Sequence, residues 1–338
     1  MIRFDLVLSS EYNGLDGHQV FILPQTVISN EVRNPDLDAL ILRPAALGDT
    51  LMLLPSLEPL RHRASITLVG RSPGTQFLKP FVRRCLDFEL MGWHTLFTEN
   101  PHVEDLPHAD IVVAFLRDDP ATLRRNLGFL FPSSRVHVFP GLPAAGALIH
   151  AALHLARCLQ EAGLIEDPEE CVRIAEHRPL LLDGKRPAGR EMILLHPGSG
   201  GRAKNHSPEF WLHLIETLGV HPDCRGYRQC LLLGPAEEKL QPFFAESLKV
   251  DWQGVVIISP SADELASVIG KAALYLGQDS GITHLAAMMG VPSIALFRVD
   301  NVSTWRPLGP SVTVIRKEES GGLASLIAEE AARLLKKV

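Results

Sequence analysis

Three stretches of the chain place reactive or ligand-binding side chains directly after an apolar run and ahead of a helical pattern. The first is Arg43-Pro44-Ala45-Ala46-Leu47-Gly48-Asp49-Thr50-Leu51. Gly48 permits close approach of a ligand or an unusual backbone angle. Asp49 has two readings: it accepts the proton of a hydroxyl, or it caps the following helix, a position that aspartate favours. The second is His196-Pro197-Gly198-Ser199-Gly200-Gly201-Arg202-Ala203-Lys204. Such a loop offers backbone N–H groups around Ser199 and Gly200 to a diphosphate, with Lys204 neutralising charge. It is neither G-x-G-x-x-G nor a P-loop, and the plainer reading is a flexible turn with a solvated lysine. The third is Gly277-Gln278-Asp279-Ser280-Gly281-Ile282-Thr283-His284. A strand ends there and a helix begins at Ser280 and Gly281, where free N–H groups and the helix dipole favour an anion. Asp279 precedes that start, and His284 falls on the first turn, where a histidine in isolation is more often a packing residue.

Other groupings are weaker. His150 and His154 stand four apart on an expected helix, but no third ligand accompanies them, so no metal is expected. Asp36-Leu37-Asp38 precedes the first strand and does not argue for a metal-dependent nucleotide site. Arg83-Arg84 and Arg124-Arg125 read as solvated faces, or as contacts for the phosphates or carboxylates of an acceptor.

The elements that must carry these stretches alternate. Strands are expected at 40–43, 66–70, 111–115 and 136–139, with helices from 50 to about 61, near 120–130 and over 147–163. The stretch 166–190 is rich in Pro, Asp, Glu and Arg and reads as the region of a linker. A second series follows: strands at 193–196, 230–233, 255–258, 274–276 and 293–297, helices at 208–218, about 262–271 and 281–289, and a last helix over 323–337. Strands alternating with helices imply parallel βαβ units, and ligands of such sheets bind beyond the carboxyl ends of the strands. The expected organisation is an extension over 1–38, with Gln19–Leu23 as a possible edge strand. A first Rossmann-like domain over 39–170, a linker over 171–190, a second Rossmann-like domain over 191–320 and a C-terminal helix over 321–338 follow.

Composition narrows the class further. The 338 residues suffice for two cored domains, and 46% apolar with 21% charged residues excludes a fibre or a mainly disordered chain. The formal net charge of −6 argues against nucleic acid as a partner. Residues 40–165 hold 12 Lys and Arg against 11 Asp and Glu, a balance of +1, so the remainder carries −7. Five scattered cysteines with no C-x-x-C spacing suit reduced thiols, and neither a membrane-spanning run nor a secretory leader is read; a cytoplasmic protein is expected.

Taken in order, these pieces resemble glycosyltransferase family 9, the ADP-heptose:lipopolysaccharide heptosyltransferases, from about Leu40 to Leu335. The resemblance rests on Arg43 to Asp49, Pro197 to Lys204, Leu232-Leu233-Gly234-Pro235-Ala236-Glu237, Asp279 to His284 with Gly290-Val291-Pro292, and Trp305-Arg306-Pro307-Leu308-Gly309. The extension is extra to the family, and His206-Ser207 stand where the family usually has Trp-Pro. The resemblance implies a GT-B fold, two Rossmann-like domains with parallel sheets facing a central cleft. It implies metal-independent, inverting transfer of a sugar to a lipopolysaccharide core acceptor, without a cofactor. Asp49, Lys204 and Asp279 would be catalytic. Ser199, Gly200, Lys204, Glu237, Asp279, Ser280, Gly281 and His284 would hold the donor, with Glu237 at the ribose or the loop beside it. The acceptor, an anionic lipid-linked saccharide at the cytoplasmic membrane face, would meet Gly48, Arg83, Arg84, Arg124 and Arg125. A sugar-nucleotide 2-epimerase and a non-catalytic envelope-assembly protein are the alternatives.

Overall fold

Leu40-Ile41-Leu42 and Ile111-Val112-Val113-Ala114 are unbroken apolar runs because each forms a strand covered on both faces. The computed structural model describes residues 37–116, 119–181, 191–249, 251–317 and 320–337. The extension over 1–36, including the suggested edge strand at 19–23, lies outside the described residues. The chain divides into two units at Leu180 and Leu181.

In the first unit five parallel strands take the order β3-β2-β1-β4-β5: β1 Asp38–Arg43, β2 Ser65–Gly70, β3 Arg84–Asp87, β4 Ile111–Phe115 and β5 Arg135–Phe139. The helices are α1 Leu47–Leu51, α2 Leu54–Leu60, α3 Gly74–Leu78, α4 Pro120–Leu130, α5 Ala151–Glu161 and α6 Pro168–His177. Part of the expected linker is therefore helix. Asp167 caps α6 by accepting from the Glu170 N–H, Pro168 follows at the first helical position, and Glu169 and Glu170 occupy the first turn. The Pro- and acid-rich composition that suggested a linker is the signature of a helix start. Cys171, Val172 and Ala175 are buried as α6 packs on α2 and α5, so residues 171–177 belong to this unit.

In the second unit six parallel strands take the order β11-β10-β9-β6-β7-β8: β6 Met192–His196, β7 Arg228–Leu233, β8 Val255–Ile258, β9 Ala272–Gln278, β10 Ser293–Phe297 and β11 Val312–Arg316. Its helices are α7 Pro208–Val220, α8 Gln241–Ser247, α9 Ala262–Gly270, α10 Gly281–Met288, α11 Val302–Trp305 and α12 Leu323–Leu335. The last helix is no appendage: Leu323, Ile327, Ala331 and Leu335 pack in one cluster with Trp211, Leu214 and Phe244. Both sheets follow Rossmann order, with their first strands, β1 and β6, in the middle. Strand order reverses between β1 and β4 and between β6 and β9, and these are the points where α/β sheets open a crevice at their carboxyl ends.

Candidate functional site

Beyond β1, Asp49 sits in the first turn of α1 and does not cap it; Ala46 holds the cap position, with no side-chain hydrogen bond. The Asp49 carboxylate instead lies 3.3 Å from Arg43 Nη2. Arg43 is 4% exposed, and its guanidinium crosses Gly141, where an added Cβ would stand 2.0 Å from Nη1. A fixed, buried guanidinium thus orients a partly exposed carboxylate. Gly48 is an ordinary helical residue, so the expectation of an unusual backbone angle there is corrected.

The arginines expected to meet an acceptor do not join this pair. Arg83 and Arg84 stand at the amino end of β3, whose other end, Asp87, is level with Gly70 and thus with Arg43. Arg84 lies about 10 Å back along the sheet at roughly 3.3 Å per residue and is bridged to Asp105 at 2.6 Å. Arg83 donates to Ser65 Oγ at 3.3 Å. Arg125 donates to Asn126 Oδ1, and Asn126 donates to the Leu96 and Thr98 carbonyls, a brace under α4. Arg124 is exposed on the same helix.

Beyond β6 and β9, the two loops of the second unit lock together. Buried Gln278, the last residue of β9, donates to the Pro197 carbonyl and accepts from the His206 N–H at 2.8 Å. The His206 ring packs on Phe210 with centroids 4.7 Å apart and reaches the Lys317 carbonyl. Ser207 accepts from the Phe210 N–H and caps α7. The His-Ser pair thus anchors the loop as its own packing unit, and the flexible-turn reading is set aside. Ser199 is turned into the loop, donating to Asn205 Oδ1 and bracing Gly201.

Lys204 ends this loop in a 3-10 turn, and its Nζ lies 2.7 Å from Asp279 Oδ2. Asp279 is 5% exposed and also accepts from Asn301 Nδ2 at 2.7 Å. Lys204 and Asn301 thus both hold its carboxylate. His284 is buried and its ring faces Trp305, centroids 6.3 Å apart. Ser280 caps α10 by accepting from the Thr283 N–H, with Gly281 at the first helical position. Tyr275 OH and Thr283 Oγ1 lie 3.0 Å apart, and burial pushes the tyrosine hydroxyl well above its ordinary titration range. Glu237, also 5% exposed, accepts from the Gly234 N–H and leans over Gly198, where an added Cβ would meet its Cδ at 1.9 Å. Ser199, Gly200, Asn205, Glu237, Lys239 and Arg298 help to line a pocket of about 660 Å³ on this unit, within the roughly 300–1,000 Å³ usual for small-molecule sites.

The structure thus brings Lys204 to Asp279 and sets Glu237, Ser280 and Gly281 around the same two loops. Asn301 and His196, the latter ending β6 between Glu237 and Ser280, carry no expectation from sequence. Asn301 belongs to no motif and reaches Asp279 across 22 residues. His196 opens a motif, but burial at a strand end leaves no mark in the sequence. His150 and His154 do not converge: His150 caps α5 and His154 bonds the Pro140 carbonyl. Among the described residues, Asp38, His108 and Asp110 come within metal-binding reach of one another, at the amino ends of β1 and β4 and away from Asp49.

Two sheets of Rossmann order in one chain, each with its polar loops at the order reversal, define a GT-B-type α/β protein. The family model described as glycosyltransferase family 9 (heptosyltransferase) matches residues 145–330, more than half of the chain. The chain belongs to that family and is a glycosyltransferase. Among solved structures, Escherichia coli heptosyltransferase WaaC with ADP is similar, with a TM-score of 0.65 at 18% identity over 88% of this chain and 100% of that one. E. coli ADP-heptose lps heptosyltransferase II has a TM-score of 0.63 at 17% identity, over 89% and 99%. A glycosyl transferase family 9 structure from Veillonella parvula DSM 2008 has a TM-score of 0.63 at 19% identity, over 90% and 98%. No curated protein sequence matches the chain. Among the described residues no helix is long and apolar enough to cross a membrane.

Proposed function

We propose that this glycosyltransferase moves a sugar, heptose by the family's example, from a nucleoside-diphosphate donor such as ADP-heptose to a saccharide of the lipopolysaccharide core. The second unit holds the donor: diphosphate against the N–H groups at Ser280 and Gly281 and the Lys204 ammonium, ribose at Glu237. Asp49, set by Arg43, takes the proton of the acceptor hydroxyl as that oxygen attacks the anomeric carbon. The bond to the diphosphate oxygen breaks on the opposite face, the configuration inverts, and the leaving group's new charge falls to Lys204 and the α10 N-terminus. Asp279 holds Lys204 where that charge appears. The reading needs no metal or cofactor, and its acceptor is an anionic, lipid-linked saccharide met at the cytoplasmic membrane face. Arg83 and Arg84, placed at the amino end of β3, are dropped as acceptor contacts, while Gly48 beside Asp49 and the exposed Arg124 and Arg125 of α4, which follows the carboxyl end of β4, are kept.

The observation that carries the reading is the Lys204–Asp279 pair next to the Ser280 cap at the order reversal, in a chain of this family. A turnover screen of ADP-heptose, UDP-sugars and GDP-sugars with a truncated lipopolysaccharide acceptor tests it. ADP-heptose should be used in the presence of EDTA, and Asp49→Asn should lower kcat by about 10²–10⁴, the usual contribution of a positioned base. Abolition of turnover by EDTA removes the metal-free mechanism. Donor rearrangement without an acceptor would favour an epimerase instead.

A further inference from the structure

His196 is 2% exposed and belongs to none of the contacts assigned so far, yet it lies between two of them. Its Nδ1 is 3.4 Å from Ser280 Oγ, and its Nε2 is 3.6 Å from Glu237 Oε2. Nε2 is a buried atom without a hydrogen-bond partner in the described structure, and the carboxylate is the acidic group facing it. The hydroxyls around it have a consistent set of hydrogens. Thr283 donates to the Gln278 carbonyl, and Tyr275, held protonated by burial, donates to Thr283 Oγ1. Ser280 Oγ accepts from the Thr283 N–H, and its own hydrogen has Thr283 Oγ1 at 3.1 Å and His196 Nδ1 at 3.4 Å within reach. Where Ser280 donates to Nδ1, the imidazole carries its hydrogen on Nε2, aimed at Glu237.

We infer that His196 is a positioning residue for nucleoside recognition: it holds the Glu237 carboxylate through Nε2–H and is itself held by Ser280. Glu237 Oε2 then accepts from the Gly234 N–H and faces His196 Nε2 at 3.6 Å, and Oε1, the oxygen folded over Gly198, is the one presented to a ribose hydroxyl. A carboxylate free to turn loses that preference, because an acceptor must be fixed before it can discriminate between hydroxyl and hydrogen. The same histidine joins the ribose contact to the Ser280 cap, so the two ends of the nucleotide site are braced against each other.

The inference rests on the proposed ribose contact of Glu237, and the experiment separates the two. Calorimetric titration of the full-length chain with ADP, 2′-deoxy-ADP and 3′-deoxy-ADP reads the hydroxyl preference. The wild type should favour ADP over one deoxy form by about tenfold, as expected for a hydrogen bond to a charged group. Glu237→Gln should reduce the preference to about twofold. His196→Gln places an amide N–H near the Nε2 position and should keep most of the preference. His196→Asn reaches only the Ser280 side and should lose it, and adding Glu237→Gln to His196→Asn should cause no further loss. Thermal unfolding confirms that both His196 variants are folded, and a structural role alone would affect affinity for all three nucleotides equally. If Glu237→Gln keeps the preference, or ADP fails to bind, the ribose reading falls and the inference with it. If Glu237→Gln loses the preference while His196→Asn keeps it, the ribose reading stands and the positioning role is overturned.

Discussion

Lys204 and Asp279 form a pair of unequal exposure, 36% against 5%, and that asymmetry predicts how each responds to mutation. Lys204→Ala removes the cation assigned to the leaving diphosphate, and kcat/KM should fall by about 10²–10³, the range seen when one transition-state donor is lost. It also strands the Asp279 carboxylate with Asn301 as its remaining hydrogen-bond donor. A buried charge without its counter-ion is destabilising, while removing both charges is often nearly neutral. The double variant Lys204→Ala/Asp279→Asn should therefore unfold about 2–4 °C above Lys204→Ala, the shift expected from roughly 1 kcal/mol in a domain of this size, and stay as inactive. Differential scanning calorimetry with steady-state kinetics checks both halves; recovery of activity in the double variant would show that Lys204 serves only to neutralise Asp279. The polar residues at strand ends were legible in the sequence because small residues, a charge and a helix start fall together there. Their partners were not. Arg43 for Asp49, Asn301 for Asp279 and Gln278 for Pro197 are choices made by the folded chain, and a residue type without a local pattern does not announce them.

At the scale of elements, the buried central strands read clearly, because both faces are covered and the apolar run is continuous. Two of the four edge strands among the described residues, β3 and β11, were missed for different reasons. β3, Arg-Cys-Leu-Asp, has a single buried position and no pattern longer than four residues. β11, Val-Thr-Val-Ile-Arg, has the β-branched composition of a strand, but its central residues are only half-buried and it follows a Pro- and Gly-containing stretch that reads as loop. α6 was obscured by the residues that start it. α12 was legible as a helix, while its place in the core was not, since an apolar stripe does not say what it packs against. That place predicts its importance. Ile327 is fully buried with Trp211 and Leu214, so Ile327→Ala should destabilise by about 2–5 kcal/mol. A chain ended at Ser320 should be insoluble, because the face of α7 that α12 covers would be exposed. Urea unfolding followed by Trp fluorescence measures the first. A soluble, cooperatively folding chain without α12 would show that the helix is only a cover.

For the molecule as a whole, one order of strands is used twice, and each time the polar loops follow the first strand of the set. This is why a sequence holding two βαβ series could be read as two Rossmann-like units, and why the motifs fell where the order reverses. The same order says where the chain can be shortened. β1 is the central strand of the first sheet, and its pairing begins at the very start of the described residues. The Leu37 carbonyl accepts from the Ser65 N–H at 2.8 Å, and the Asp38 N–H donates to the Asp110 carboxylate at 2.8 Å. A chain beginning at Leu37 keeps both bonds and every strand of this sheet among the described residues. It should fold with an unfolding temperature within about 2 °C of the full-length chain, less than the shift from 1 kcal/mol in a small domain, and retain nucleotide binding and turnover. A chain beginning at Leu42 loses Leu40 and Ile41, both fully buried between β2 and β4, and should not fold. Expressing the two truncations beside the full-length protein decides the matter. An insoluble chain from Leu37, with the full-length chain soluble, would make residues 1–36 part of the structural core and not an addition to it.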